Sequence, residues 1–266
     1  MTRSIVKTAL TTTAMIAAGF LAIAPSLAQE TSMMKSDSAS VNAPYNAFLS
    51  KYVKTENGIN LVAYDKVTDA DEATLEAYIE TLSNTDISSF SDEETLAYWF
   101  NLYNAKTVDV ILDNYPVKSI RKIGLTGPWG KKLLTVNGQK MSLNNIEHDT
   151  VREDFDEPRI HFAFNCASIG CPDLKLTAWE AETLEEDLTQ ASMDFVASPR
   201  GVSVDEDGDI TASSIFKWYK KDFGSNEAEL AQYLSQFATG AKKTALENAT
   251  KIDDYDYDWS LNISGG

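Results

Sequence analysis

One stretch of this chain has little conformational freedom. Ser91 is placed to cap a helix, Glu94 completes a capping box, apolar residues recur at helical spacing from Asp92 to Asn114, and Pro116 ends the pattern. Further helices are expected at Tyr45 to Lys54, Glu72 to Ser83, Leu143 to Glu153, Trp179 to Ala197, Ser213 to Asp222 and Ala228 to Phe237. The expected strands are Asn60 to Tyr64, a Lys132 to Leu143 hairpin turning at Asn137-Gly138, Ile160 to Asn165, a Val202 to Thr211 hairpin, and Asp254 to Trp259. Strands that arrive as hairpins, rather than as regular strand-helix-strand crossovers, point to an α+β domain with an antiparallel sheet packed by several helices.

Residues 1–28 read as an export signal. Arg3 and Lys7 form a short basic segment, Met15 to Ala24 an apolar run too short to span a membrane, and Ser26-Leu27-Ala28 a small-x-small cleavage site. Residues 29–42 are polar and poor in large apolar groups, so they are expected to be a disordered tether ahead of one domain, 43–266. The expected product is periplasmic or secreted, with no membrane insertion after cleavage. The chain carries 23 basic and 40 acidic residues, a net charge of −17, and the signal accounts for two of the basic ones and none of the acidic. The product's charge is therefore −19, which disfavours nucleic acid and anionic lipid as partners by like-charge repulsion.

The chemistry is concentrated. The two histidines and two cysteines, His148, His161, Cys166 and Cys171, fall within 24 residues. Around and beyond them run Trp99-Phe-Asn101-Leu-Tyr103-Asn104-Ala, Tyr115-Pro116-Val-Lys-Ser-Ile120, Ser142-Leu-Asn-Asn-Ile-Glu147-His148, Pro158-Arg159-Ile-His161-Phe-Ala-Phe-Asn-Cys166-Ala-Ser168-Ile-Gly170-Cys171-Pro172 and Tyr257-Asp258-Trp259-Ser-Leu-Asn262. In that order and spacing, the motifs resemble the family called domain of unknown function 547, from about Tyr45 to Asn262. The resemblance implies a bacterial exported member and no particular activity.

The residues themselves suggest a reaction class. If Ile160 to Asn165 is a strand, Ile160, Phe162 and Phe164 face the core and His161, Ala163 and Asn165 face the other way. Five extended positions would then hold His161 about 16 Å from Cys166, which makes His148, carried on a helix, the better partner for that sulfur. Glu147 would point about 100° away from His148 around the helix and meet something else. Asn104 and Asn101, amides one turn apart on an apolar helix, want buried partners, and Asn104 is a candidate to orient His161. Thiol, imidazole and amide are the parts of a papain-like or transglutaminase-like site, and the domain would suit such a core.

Competing readings stand beside this one. The compartment is oxidising, the cysteine count is even, and Gly170 and Pro172 mark a turn, so Cys166 and Cys171 also suit a structural disulfide in a non-catalytic binding module. The His148, His161, Cys166, Cys171 set lacks the close ligand pairs of a zinc site, and Asp205 to Ile210 lacks the terminal Glu of a calcium loop, so no metal and no cofactor is expected. Trp218, Tyr219, Tyr255, Tyr257 and Trp259 suit packing or a platform for a sugar or peptide. The expected function is a thiol-dependent acyl-transfer or hydrolase-like activity with Cys166 as nucleophile and His148 or His161 as base. Its partner would be a small molecule, a peptide or a cell-envelope ligand. One outcome is checked at once: intact-mass analysis of exported protein should find a chain beginning at Gln29, and a chain still beginning at Met1 would overturn the export reading.

Overall fold

The computed structural model describes residues 41–265. The expected export signal and residues 29–40 of the expected tether lie outside them, while Val41 and Asn42 already belong to a helix, α1, that runs to residue 52. Among the described residues no helix is long and apolar enough to cross a membrane.

Helix α3 (Asp92–Leu112) starts as its capping pattern predicts. The Ser91 hydroxyl accepts from the Glu94 amide at 3.2 Å, and the Glu94 carboxyl accepts from the Ser91 amide at 2.7 Å. From Leu96 to Ile111 almost every side chain is buried, so α3 is the axis of the larger core rather than a surface helix with one apolar stripe. Helix α2 (Asp69–Ser83) packs along it, with the Tyr98 hydroxyl donating to the Leu82 carbonyl at 3.0 Å, and α1 joins through Tyr45 stacked on Tyr78.

Three small sheets surround this frame, giving the α+β class. β1 (Val53–Glu56) and β2 (Ile59–Val62) form one antiparallel hairpin, and β3 (Leu134–Val136) and β4 (Gln139–Met141) another. In the second, Asn137 and Gly138 both take positive φ, 47° and 81°, as a two-residue turn between right-twisted strands requires. The third sheet has the order β5 (Val202–Val204), β6 (Ile210–Ser213), β7 (Asp254–Asp256), with β5 and β6 antiparallel and β6 and β7 parallel. Asp205 to Ile210 is the turn of the β5–β6 hairpin, where the Asp205 carboxyl accepts from the amides of Asp207 and Asp209. Helix α5 (Leu184–Ala197), short helices α6 (Ser214–Trp218) and α7 (Lys220–Phe223), and α8 (Glu227–Ser235) and α9 (Gly240–Asn248) gather with this sheet around a second core of Phe162, Phe195, Phe216 and Phe223.

Two departures from expectation matter for the site. Ile160 to Asn165 is not a strand: Pro158–Phe162 is a 3-10 helix. Proline suits the first helical position, and the Glu157 side chain caps the turn by accepting from the Arg159 amide, so local capping overrides the alternating pattern. Helix α4 replaces the regular helix expected at Leu143 to Glu153. It is a π-helical segment, Asn145–Val151, that runs into a single α-turn, Arg152–Asp154.

Asn101 and Asn104 of α3 each clamp a loop by its backbone. Asn101 donates to the Trp179 carbonyl and accepts from the Trp179 amide, at 2.9 and 2.8 Å; Asn104 donates to the Ala163 carbonyl and accepts from the Asn165 amide, both at 2.9 Å. Asn104→Ala strands two buried backbone groups and should destabilise by about 1 to 3 kcal/mol, whereas Glu76→Ala on the exposed face of α2 should cost less than about 0.5 kcal/mol. Denaturant melts of both variants check this, and a neutral Asn104→Ala would overturn the clamp.

Candidate functional site

The Asn104 clamp fixes the start of the loop that carries both cysteines. Asn165 continues it: its side chain donates to the Pro172 carbonyl at 2.8 Å and accepts from the Ala167 amide at 2.9 Å, which spans the loop and holds Ala167 at φ +58°. Within this ring Cys166 and Cys171 are joined by a disulfide, with Cα atoms 6.2 Å apart. The far side of the loop lies against the C-terminal segment, where the Ile169 and Gly170 amides donate to the Ser260 and Asp258 carbonyls. A Cβ on Gly170 would stand 2.9 Å from the Asp258 nitrogen and 3.0 Å from the Tyr257 ring, so only glycine permits this approach. That approach brings the Tyr257 hydroxyl to 3.0 Å from each of the two sulfurs.

His161 sits on the 3-10 turn preceding the loop. Its ring stacks on Tyr219 at 4.2 Å, and Nε2 lies 2.6 Å from Asp222 Oδ2. Arg152 holds the same carboxylate with two bonds, Nε to Oδ2 at 2.7 Å and Nη2 to Oδ1 at 2.9 Å. Partial burial works against ionisation of Asp222, yet the hydrogen bonds and positive charge of His161 and Arg152 hold its carboxyl well below the usual carboxylate range. An ionised carboxylate is an acceptor only, so His161 Nε2 carries the proton of that bond.

On α4, Glu147 accepts from the buried Tyr103 hydroxyl at 3.1 Å, and Tyr219 also turns its hydroxyl to it. Burial pushes the hydroxyls of Tyr103, Tyr219 and Tyr257 up, so all three stay protonated donors at neutral pH. His148 is more exposed. Its Nδ1 lies 3.8 Å from Glu147 and 3.5 Å from an Arg152 nitrogen, longer than well-formed hydrogen bonds.

These groups open on one cleft of about 480 Å³, within the usual size for a small-molecule site. Glu147, His148, His161, Cys166 and Cys171 line it, with Trp129, Trp218, Tyr257 and Trp259 as an aromatic wall. Four of the five residues singled out in the sequence therefore meet there. The fifth, Asn104, does not orient His161; it is committed to the Ala163–Asn165 backbone, and Asp222 takes the expected place. The objection to pairing His161 with Cys166 also falls, because it assumed an extended strand where the chain makes a helical turn. Asp222, Arg152 and Tyr103 were not legible as site residues: they stand singly, at distances of up to 119 positions from one another. Among the described residues, no group of three or more His, Cys, Asp or Glu side chains is placed to hold a metal ion.

The depressed Asp222 carboxyl predicts a pH signature. A folded-state value below the unfolded one gives stability that is complete above the unfolded carboxylate range, near pH 4, and is lost as pH falls from there towards the folded value. The stability difference between wild type and Asp222→Asn should therefore be full above about pH 5 and shrink below about pH 4, as read from denaturant melts across that range. A difference that grows on acidification would contradict the ion pair.

No curated protein and no solved structure matches the chain. Residues 87–196, which run from the approach to α3 through the cysteine loop to the end of α5, match the family described as Protein of unknown function, DUF547.

Proposed function

We propose that the cleft is a thiol-dependent acyl-transfer or hydrolase-like site, with Cys166 as its nucleophile, stored in the disulfide with Cys171. The observation that carries this reading is that Cys166 and a histidine already oriented by a carboxylate, His161 with Asp222 at 2.6 Å, line the same cleft. Base and orienter at hydrogen-bond distance are what activation of a thiol requires. His161 is the base favoured here over His148, whose nearest carboxyl oxygen is 3.8 Å away.

The proposed sequence begins with reduction. A dithiol gives two electrons and two protons to the disulfide, leaving the Cys166 and Cys171 thiols and an oxidised, cyclic dithiol. Cys166 then loses its proton to His161 Nδ1, and the thiolate attacks an acyl carbon. The tetrahedral intermediate expels the leaving group, which takes the proton from His161, and a thioester remains. Water or another acceptor attacks that thioester, His161 takes the incoming proton, and cleavage of the C–S bond returns the proton to the Cys166 thiol. The Asp222 carboxylate steadies the imidazolium at each stage. A disulfide as resting state suits a protein outside the cytoplasm, which is where we place it.

A second reading is favoured by one observation. Arg200 straps the loop through the Ile169 and Cys171 carbonyls, at 2.9 and 2.6 Å, and through Asp173 at 2.9 Å, as a disulfide serving only to fix the wall of a binding cleft would be held.

Peptide mapping with iodoacetamide separates the two. Oxidised protein should label at neither cysteine. After mild reduction Cys166 should label faster than Cys171, and this rate should fall about tenfold or more in His161→Ala while changing little in His148→Ala. Equal, slow labelling of both thiols, unaffected by His161→Ala, would overturn the catalytic reading and leave the binding module. Reduction itself should cost at most about 2 to 3 kcal/mol of stability, because the ring closed is short.

A further inference from the structure

The aromatic wall of the cleft has a feature that packing does not account for. Trp218 is 48% exposed, although it lies against Tyr257 at 4.9 Å and stacks on Trp259 at 5.5 Å with the rings 29° apart. Trp259 is covered in turn by Trp129 at 5.8 Å and by the Arg121 guanidinium at 4.9 Å. One face of Trp218 is thus supported by a layer of rings, while nearly half of the residue is left to solvent at the cleft. Exposing a large apolar ring in this way is unfavourable unless something covers it.

The charges nearby select the kind of ligand. Among the residues lining the cleft Glu147 is the single Asp, Glu, Lys or Arg; Asp222 and Arg152 are paired with each other, and the Arg121 guanidinium lies on the Trp259 ring. A lining with so little charge gives no advantage to a strongly charged ligand. What remains is one flat apolar face beside hydrogen-bonding groups, the Glu147 carboxyl, the His148 imidazole and the Asn144 amide. A pyranose ring matches both: its axial C–H bonds, slightly positive, lie against the negative face of an aromatic ring, and its equatorial hydroxyls point outward in the ring plane towards polar partners. A cleft of about 480 Å³ has room for more than one such ring.

From this we infer that the cleft binds a neutral oligosaccharide, with Trp218 as the stacking platform, and that the acyl group met by Cys166 is the N-acyl substituent of an amino sugar or a group attached to it. The choice of an N-acylated sugar rests on the acyl-transfer reading; the sugar site does not, because it needs no free thiol.

The test therefore uses the oxidised full chain, in which no thiol chemistry can occur. N,N′-diacetylchitobiose and its tetramer are titrated by calorimetry and by ligand-observed NMR, with cellobiose, tetramethylammonium and an N-acetyl-lysine amide as comparison ligands. Saturable binding of the chito-oligosaccharides is expected, weakened roughly five- to tenfold in Trp218→Ala, partly restored in Trp218→Phe, and unchanged by Trp218-distant Glu76→Ala. Trp218 contributes to neither core cluster, so its replacement leaves the fold intact, which a thermal melt confirms. Absence of saturation at about 10 mM sugar, binding indifferent to Trp218→Ala, or preference for the ammonium or lysine probe would overturn the inference. Equal affinity for cellobiose would remove the N-acyl preference and keep the sugar platform. Failure of the labelling experiment on Cys166 would leave this binding result untouched, so the two proposals fail separately.

Discussion

Two side-chain amides on a buried helix hold the rest of this protein in register. An asparagine side chain sets a donor group and an acceptor oxygen side by side in a fixed plane, the pair that a peptide backbone can satisfy. Asn101 turns both groups to Trp179, and Asn104 turns both to the Ala163–Asn165 segment. In a core of mostly aromatic and aliphatic groups these bonds are the directional ones. Hydrophobic burial brings loops against α3 without specifying where they stop, whereas a two-bond clamp specifies the residue. Because Cys166 follows Asn165, a one-residue slip at the clamp would move the disulfide and everything that contacts it.

From that fixed point the cleft is assembled by relayed constraints. Asn165 spans the cysteine loop, Gly170 lets Tyr257 approach, and Tyr257 carries Trp218 and Trp259 with it. On the opposite side Arg152 ties α4 to α7 through Asp222, and the same carboxylate fixes the His161 ring. A single ion pair thereby links the position of α4, which carries Glu147 and His148, to the orientation of His161. The π-helical geometry of α4 belongs to this arrangement, since at that pitch Glu147 and Arg152, five positions apart, lie on neighbouring parts of the surface.

Much of this was readable in the chain. The capping box at Ser91, the Asn137-Gly138 turn and the hairpin at Asp205 follow from local rules, because the atoms concerned are near neighbours in sequence. Ile160 to Asn165 misled for the same reason in reverse. Alternating apolar residues satisfy a strand pattern, but Pro158 and Glu157 favour a helical turn, and the segment's burial on all sides made alternation uninformative. Asp222 was out of reach because its role comes from a partner 61 positions away, and an isolated aspartate in an acidic chain carries no signal of that kind. Helix α9 buries little beyond Leu246, so it shows no apolar stripe to detect.

The parallel pairing of β7 with β6 has a consequence for how the domain is divided. It carries the chain back across the molecule, so that Tyr257 and Trp259 enter the cleft wall, Leu261 bridges to Ser168 and Ile263 to Val62. The family-matching stretch, 87–196, contains the disulfide and both histidines, yet Asp222, Trp218 and Tyr257 all come after it. A fragment cut to that stretch would hold the cysteines and histidines without the carboxylate that orients one of them or the rings that wall the cleft beside them. Chains that share residues 87–196 but differ afterwards would keep the cysteine loop and both histidines while changing the carboxylate and the rings set against them.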